Sequence, residues 1–227
     1  MAVTSVTLGE LAAVAFAAYG TLFDVTSTVN RARDRLGNQA RELARAWRAH
    51  QQHLAAASPG LPDYWHVTGR ALDSAMAELG IKDAPLRARL MQLMLNVDAF
   101  PDAYAAICGL RNLGLRVAVL SNATVTMLIN ALKHTGLDRV VDQAVPADAS
   151  AYKPAAAAYL RACARLNTDP SRVLYVTADA PDAEAATVAG LKAIWLRRDG
   201  AANVAPNLAA TVRSLGELLP LVGSAAS

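Results

Sequence analysis

Four short segments of this 227-residue chain gather the side chains that can do chemistry. Ala17–Thr21 carries Tyr19 and the Thr21 hydroxyl, and Ser121–Thr124 adds two hydroxyls and the Asn122 amide. Tyr152-Lys153-Pro154 supplies a lysine, and Thr177–Asp182 supplies Thr177 with the carboxylates Asp179 and Asp182. An ammonium beside carboxylates, ringed by hydroxyl and amide donors, keeps a carboxylate ionised in a dry pocket and receives small anions. Plainer duties exist for each group. Ser121 and Asn122 can cap a following helix, Thr21 can close a turn, and Lys153 stands before a helix-opening proline.

The four segments gain meaning from what precedes them. Short apolar runs at Leu11–Ala17, Leu115–Leu120, Val140–Val145, Val173–Thr177 and Ala193–Leu196 alternate with amphipathic stretches, which predicts an α/β fold with a parallel sheet. In such sheets ligands bind beyond the carboxyl ends of the strands, where all four segments fall. Helices are expected over Val125–Thr135 before Gly136, from Pro154 onward, and up to Gly190. Residues 25–98 hold no convincing strand. Asn38–Ala57 places Leu43, Trp47 and Leu54 on one helical face, Thr68 is expected to cap a helix running to Gly80, and Asp83 with Pro85 opens another carrying Leu86, Leu90, Leu93 and Met94 inward. The expected organisation is a Rossmann-like core over 1–24 and 99–227, with an all-helical cap over 25–98 that can close on the strand ends and exclude water.

Composition removes other classes. A 54% hydrophobic content is incompatible with a disordered chain. The net charge of +3 comes from 22 basic and 19 acidic residues without a long single-sign run, so no nucleic-acid footprint is visible. No apolar run nears the ~18 residues of a membrane span. Leu11–Ala18 lacks the basic region of a signal peptide, and the expected location is cytoplasmic. Cys108 and Cys163, 55 residues apart, read as small buried hydrophobes. His50, His53, His66 and His134 form neither a triad nor a metal-binding pattern, and His50 with His53, three apart on one helix, read as solvated.

Phe16-Ala17-Ala18-Tyr19-Gly20-Thr21-Leu22-Phe23-Asp24 resembles the first motif of the type II 2-haloacid dehalogenases, of the haloacid dehalogenase superfamily. Leu120-Ser121-Asn122 is similar to the second motif, Tyr152-Lys153-Pro154 with Tyr159 to the third, and Val176–Asp182 in part to the fourth. Arg48 alone reads as a surface arginine on an amphipathic helix, but Ala46-Trp47-Arg48 resembles the segment that carries the family's substrate-side arginine. The resemblance implies cofactor-free hydrolysis of short 2-haloalkanoates. An aspartate carboxylate displaces halide at C2, and water cleaves the resulting ester to release the 2-hydroxy acid with inverted configuration. It further implies that Lys153 keeps the nucleophile ionised, that Thr21 orients it and that Asp182 anchors Lys153. Thr177 and Asp179 complete the catalytic positions, while Arg48, Ser121, Asn122, Tyr19, Tyr159 and Tyr64 line the substrate and halide site. Tyr64 and Trp65 are both similar to the cap aromatics that wall the family's pocket. Family members are often homodimers, and Leu86–Leu95 is a candidate interface.

The sequence departs from this pattern at its centre. The nucleophile position holds Ala17, and a methyl group cannot attack carbon. Losing a covalent nucleophile removes orders of magnitude in rate. Two explanations stand, an aspartate-to-alanine change made to trap substrate, or natural divergence to a silent protein that binds a small carboxylate. Asp179 in place of asparagine, Pro181 in place of a pocket tryptophan, Ala178 in place of serine and Ala49 in place of glutamine favour the second. A carboxylate lost at 17 and gained at 179 suggests that Asp179 pairs with Lys153. Phosphatase chemistry is disfavoured, because Ala17, Tyr19 and Ala178 stand where magnesium-holding acids are required, and no metal site is expected.

Overall fold

The computed structural model describes residues 10–57, 63–146, 152–198 and 208–223. The chain enters through β1 (Ala13–Ala17), turns through Gly20 into β2 (Phe23–Asp24), and then runs through α1 (Val25–Asn30), α2 (Arg33–Leu36), α3 (Ala40–Ala57), α4 (Tyr64–Glu78) and α5 (Ala84–Leu95). It returns at β3 (Asp98–Ala99), which pairs antiparallel with β2 and sets Asp98 opposite Asp24. There follow α6 (Ala103–Asn112), β4 (Arg116–Leu120), α7 (Val125–Thr135), β5 (Gln143–Val145), α8 (Ala156–Arg165), β6 (Val173–Thr177), α9 (Ala180–Val188), β7 (Lys192–Leu196), β8 (Ala210–Val212) and α10 (Leu218–Gly223). The sheet has the order β5-β4-β1-β6-β7-β8, and every pairing in it is parallel.

β1 sits in the middle and is buried along its whole length, which is why it reads as a continuous apolar run. Its period of two divides the core. Val14 and Phe16 face the cluster containing Ile107, Leu110 and Leu128, whereas Ala13, Ala15 and Ala17 face Tyr159, Tyr175 and Ala183. The small residues on the second face let α8 and α9 approach closely. Helices α1 to α5 enclose a separate core of Val29, Leu43, Trp47, Leu72, Leu86, Leu90 and Met94, joined by Ala123 and Met127 of the β4–α7 region. Burying Leu43 and Trp47 contributes on the order of 2 kcal/mol each. That anchorage fixes the neighbouring face of α3, which carries Arg48 and Gln52. No helix among the described residues is long and apolar enough to cross a membrane.

Local chemistry accounts for the helix ends. Asp63, Asp83 and Thr124 accept the backbone N–H three residues ahead, at 3.1, 2.8 and 3.2 Å. Gly136, with φ +71°, closes α7 in the left-handed conformation.

Several expectations need correction. α4 starts at Tyr64, so Thr68 lies inside the helix; its hydroxyl bonds back to the Tyr64 carbonyl at 2.8 Å and accepts Gln51 Nε2 at 3.1 Å, tying α3 to α4. α8 begins at Ala156 rather than at Pro154. β5 begins only at Gln143, because Leu137–Arg139 forms a 3-10 turn and the Asp142 carboxylate takes the Val117 N–H at 2.7 Å. On α5, Leu86, Leu90, Met91 and Met94 pack into the chain's own core, whereas Leu93, expected inward, is only half-buried against it.

Candidate active site

The carboxyl ends of β1, β4 and β6 meet the Tyr152–Pro154 segment around a cavity of about 410 Å³. Core residues Ala17, Ala18, Tyr19, Ser121, Asn122, Lys153, Thr177, Asp179 and Asp182 line one side of it. Arg48, Gln52 and Ala55 of α3 and Tyr64 of α4 line the other.

Its centre is a buried ion pair. Lys153 Nζ donates to Asp182 Oδ2 at 2.9 Å and to the Tyr175 hydroxyl at 2.8 Å. The Tyr175 and Thr177 hydroxyls each donate to the same Oδ2 at 2.8 Å, and the Tyr159 hydroxyl donates to Oδ1 at 2.6 Å. Asp182 therefore takes four donors. Burial alone pushes its carboxyl up, but the Lys153 charge and the hydrogen bonds from Tyr159, Lys153 and Thr177 outweigh burial and hold it below the ordinary carboxylate range. Asp182 also lies in the first turn of α9, where the helix dipole favours a negative charge. Burial, reinforced by Asp182, pushes both Tyr159 and Tyr175 upward, so both phenols stay protonated and act as donors.

Asn122 fixes the lysine's backbone with a two-pronged amide. Its Nδ2 donates to the Lys153 carbonyl at 3.0 Å, and its Oδ1 accepts the Lys153 N–H at 2.8 Å. Ser121 Oγ accepts the Ala123 N–H at 3.0 Å and borders the cavity, so it caps and lines at once. Arg48 crosses from α3 to the β1 turn, with Nη2 3.4 Å from the Tyr19 carbonyl oxygen. Gly20 makes that approach possible. Its φ is +83°, and a Cβ there would sit 3.4 Å from Arg48 Nη2.

The remaining expected residues divide into those at the wall and those behind it. Ala17 stands at the end of β1 and presents only a methyl group to the cavity. Thr21 is fully buried behind the wall, where its Oγ1 accepts the Ala178 N–H at 2.9 Å. Tyr159 is likewise fully buried and donates to Asp182, which places it behind the cavity wall rather than on the expected substrate side. Tyr64 lines the cavity, whereas Trp65 faces a separate groove beside Arg87 and Met91. His50 meets Glu78 at 2.9 Å, away from the cavity.

The expected pairing of Asp179 with Lys153 is overturned. The lysine ammonium is taken by Asp182 and Tyr175, and Asp179 lies outside ion-pair distance of it. Asp179 instead accepts Gln52 Nε2 at 3.3 Å from across the cavity. Burial first, and then the Asp182 charge, push its carboxyl above the ordinary value, against the pull of Arg48, Lys153 and Gln52.

Three participants escaped the sequence reading, although each carried a periodic signal. Gln52 and Ala55 lie four and seven residues after Arg48, on one helical face. Tyr175 lies two residues before Thr177 and so shares its strand face.

Assembled, the site offers a shielded lysine, one arginine, hydroxyl and amide donors, and a methyl group where a covalent nucleophile is expected. Comparison with known proteins agrees with this geometry. The profile of the haloacid dehalogenase-like hydrolases matches residues 11–190. (S)-2-haloacid dehalogenase 4A of Burkholderia cepacia is 37% identical over 94% of this chain and 95% of its own length. (S)-2-haloacid dehalogenase 1 of Pseudomonas sp. (strain CBS-3) is 33% identical over 84% of this chain and 86% of its own. A crystal structure of a dehalogenase with an intermediate complex superposes with a TM-score of 0.89 at 37% identity, covering 94% of this chain and 97% of that one. Motifs, sheet order, site geometry and these likenesses converge: the chain belongs to the (S)-2-haloacid dehalogenase family of the haloacid dehalogenase-like hydrolases.

Proposed function

We propose that the cavity receives a short carboxylate of the 2-haloalkanoate type, and that the chain as given holds it without displacing halide. In this reading, residues 25–98 act as a cap over a core formed by 1–24 and 99–227. Arg48, Ser121, Asn122 and Lys153, which are among the donors that border the cavity, face the ligand's carboxylate or its C2 substituent.

The observation that carries the absence of turnover is Ala17, whose methyl group ends β1 where the family's carboxylate attacks C2. The carboxylates that do border the cavity are Asp179 and Asp182. Asp182 is saturated by Lys153, Tyr159, Tyr175 and Thr177. Asp179 follows β6 instead of β1, and so does not occupy the attack position.

Halide release from both 2-chloropropionate enantiomers and from fluoroacetate tests this, with the chain as given run beside Ala17→Asp. No release from the given chain and measurable release from Ala17→Asp are expected. Halide release by the given chain sinks the proposal. So does an inactive Ala17→Asp together with no carboxylate binding by calorimetry, which moves the search to other ligands.

A further inference from the structure

The same cavity holds two opposite charges whose partners are weak. Arg48 forms no ion pair among the described residues; its hydrogen bond is the 3.4 Å approach to the Tyr19 carbonyl. Asp179, half-buried, has the single 3.3 Å contact from Gln52. Neighbouring Lys153 and Asp182 already satisfy one another. Tyr19 also lines the cavity, and its buried hydroxyl has no hydrogen-bond partner among the described residues.

Two cations and two carboxylates line the cavity, so their formal charges balance before anything binds. A simple monoanion leaves a net negative charge in a partly desolvated site and faces Asp179 across it. A ligand carrying both signs leaves the balance unchanged and pairs each stranded group. Burial and Asp182 oppose ionisation of Asp179 more than Arg48 and Lys153 favour it from beyond ion-pair distance, so a cation in direct contact is what this carboxylate lacks. Between the polar lining groups, Ala17, Ala18, Ala55, Pro154 and Pro181 form an apolar part of the wall that suits a short aliphatic chain.

We infer that the ligand this pocket prefers is a small zwitterionic 2-amino acid, with its carboxylate on Arg48 and its ammonium on Asp179. The inference rests on the reading above that the cavity takes short carboxylates, and it adds the C2 substituent. The missing carboxylate at 17 is part of the same picture, since a methyl group there adds no competing charge.

Three probes share one skeleton and differ at C2: alanine with ammonium, 2-chloropropionate with chlorine, and isobutyrate with methyl. Isothermal titration of the full chain with both enantiomers of the first two, and with isobutyrate, is expected to show alanine bound at least about tenfold more tightly, the scale of one charge-assisted hydrogen bond. Asp179→Asn is expected to abolish that preference. Because it removes a carboxylate that its surroundings disfavour, it is also expected to melt no lower than the parent. If the two anions bind and alanine gains nothing, the zwitterion inference falls and the carboxylate reading stands. Should none of the three bind, both fall. If Asp179→Asn keeps the full alanine preference while remaining folded, Asp179 is not the ammonium partner and the inference falls.

Discussion

Replacing Asp182 by asparagine separates charge from shape at the centre of this site. The amide can present its oxygen to Lys153, Tyr175 and Thr177 and its nitrogen to the Tyr159 hydroxyl, so the packing survives and the negative charge does not. What remains is an ammonium whose side chain is 13% exposed and has no counter-ion. Breaking a buried pair from one side costs about 3–5 kcal/mol. Asparagine keeps the hydrogen bonds, so about 3 kcal/mol is expected, or about 6–12 °C in melting temperature for a chain of this size. Lys153→Met strands the carboxylate instead and is expected to cost a similar amount. The double variant removes both charges and is expected to return to within about 1 kcal/mol of the parent. The pH dependence has a definite sign. The Asp182 carboxyl lies below its ordinary value when folded, so its stabilisation is complete above about pH 4, its unfolded range, and is lost as pH falls through the folded value. The gap between parent and Asp182→Asn therefore narrows in acid. Urea unfolding of the four proteins, repeated down the pH scale, decides it. Additive single-variant costs, or a gap that persists unchanged in acid, would refute the ion-pair account.

Other expectations follow from single residues. Gly20→Ala must hold a left-handed backbone and press on Arg48, so it is expected to lose about 1–2 kcal/mol in thermal melts and to weaken isobutyrate binding in titrations. Asn122→Ala removes both bonds to the Lys153 backbone, with an expected loss of about 1–2 kcal/mol by urea unfolding and a slower encounter with any ligand that Lys153 meets. Burial on α8 pushes the Cys163 thiol up to about 11, whereas Cys108 is half-buried. A thiol-reactive disulfide reagent is therefore expected to modify Cys108 alone in the native protein and both cysteines in denaturant.

The parts legible in the sequence were those whose signal is local. β6 and α7 have the boundaries their patterns predict, because a fully buried parallel strand is an unbroken apolar run and a glycine in the left-handed region ends a helix. Caps were less legible. Asp63 and Thr68 are both competent caps, and only the packing of α3 against α4 makes Thr68 an interior bridge. β8 has three residues at the sheet edge, too few for a pattern to stand out. The Asp179 error has a similar cause. Counting charges along the chain says that a carboxylate was moved, but it cannot weigh that against Asp182, which the resemblance already set beside the lysine and which takes the ammonium from the first turn of α9. Nor does it reveal that a tyrosine on β6 takes a further one of the ammonium's protons.

In the proposed reading the site has lost its reactive group, and the geometry explains how it would keep its form. Lys153, Asn122, Tyr159, Tyr175, Thr177 and Asp182 hold one another by hydrogen bonds, and no link in that network passes through the side chain at 17. Thr21 and Arg48 are held by the Ala178 N–H and the Tyr19 carbonyl, again independently of residue 17. Replacing a carboxylate by a methyl group at the end of β1 therefore removes a reactant and a charge, not a strut. For the same reason Ala17→Asp is a demanding test: it returns an acid to a frame that is already assembled. Its new charge must then compete with Asp182 for Lys153 and lies in the same cavity as Asp179, which carries no ion pair among the described residues. If Ala17→Asp fails to release halide while Ala17→Asp combined with Asp179→Asn succeeds, the second carboxylate is what silences the site. If both release halide equally, Asp179 bears on which ligand binds and not on the displacement step.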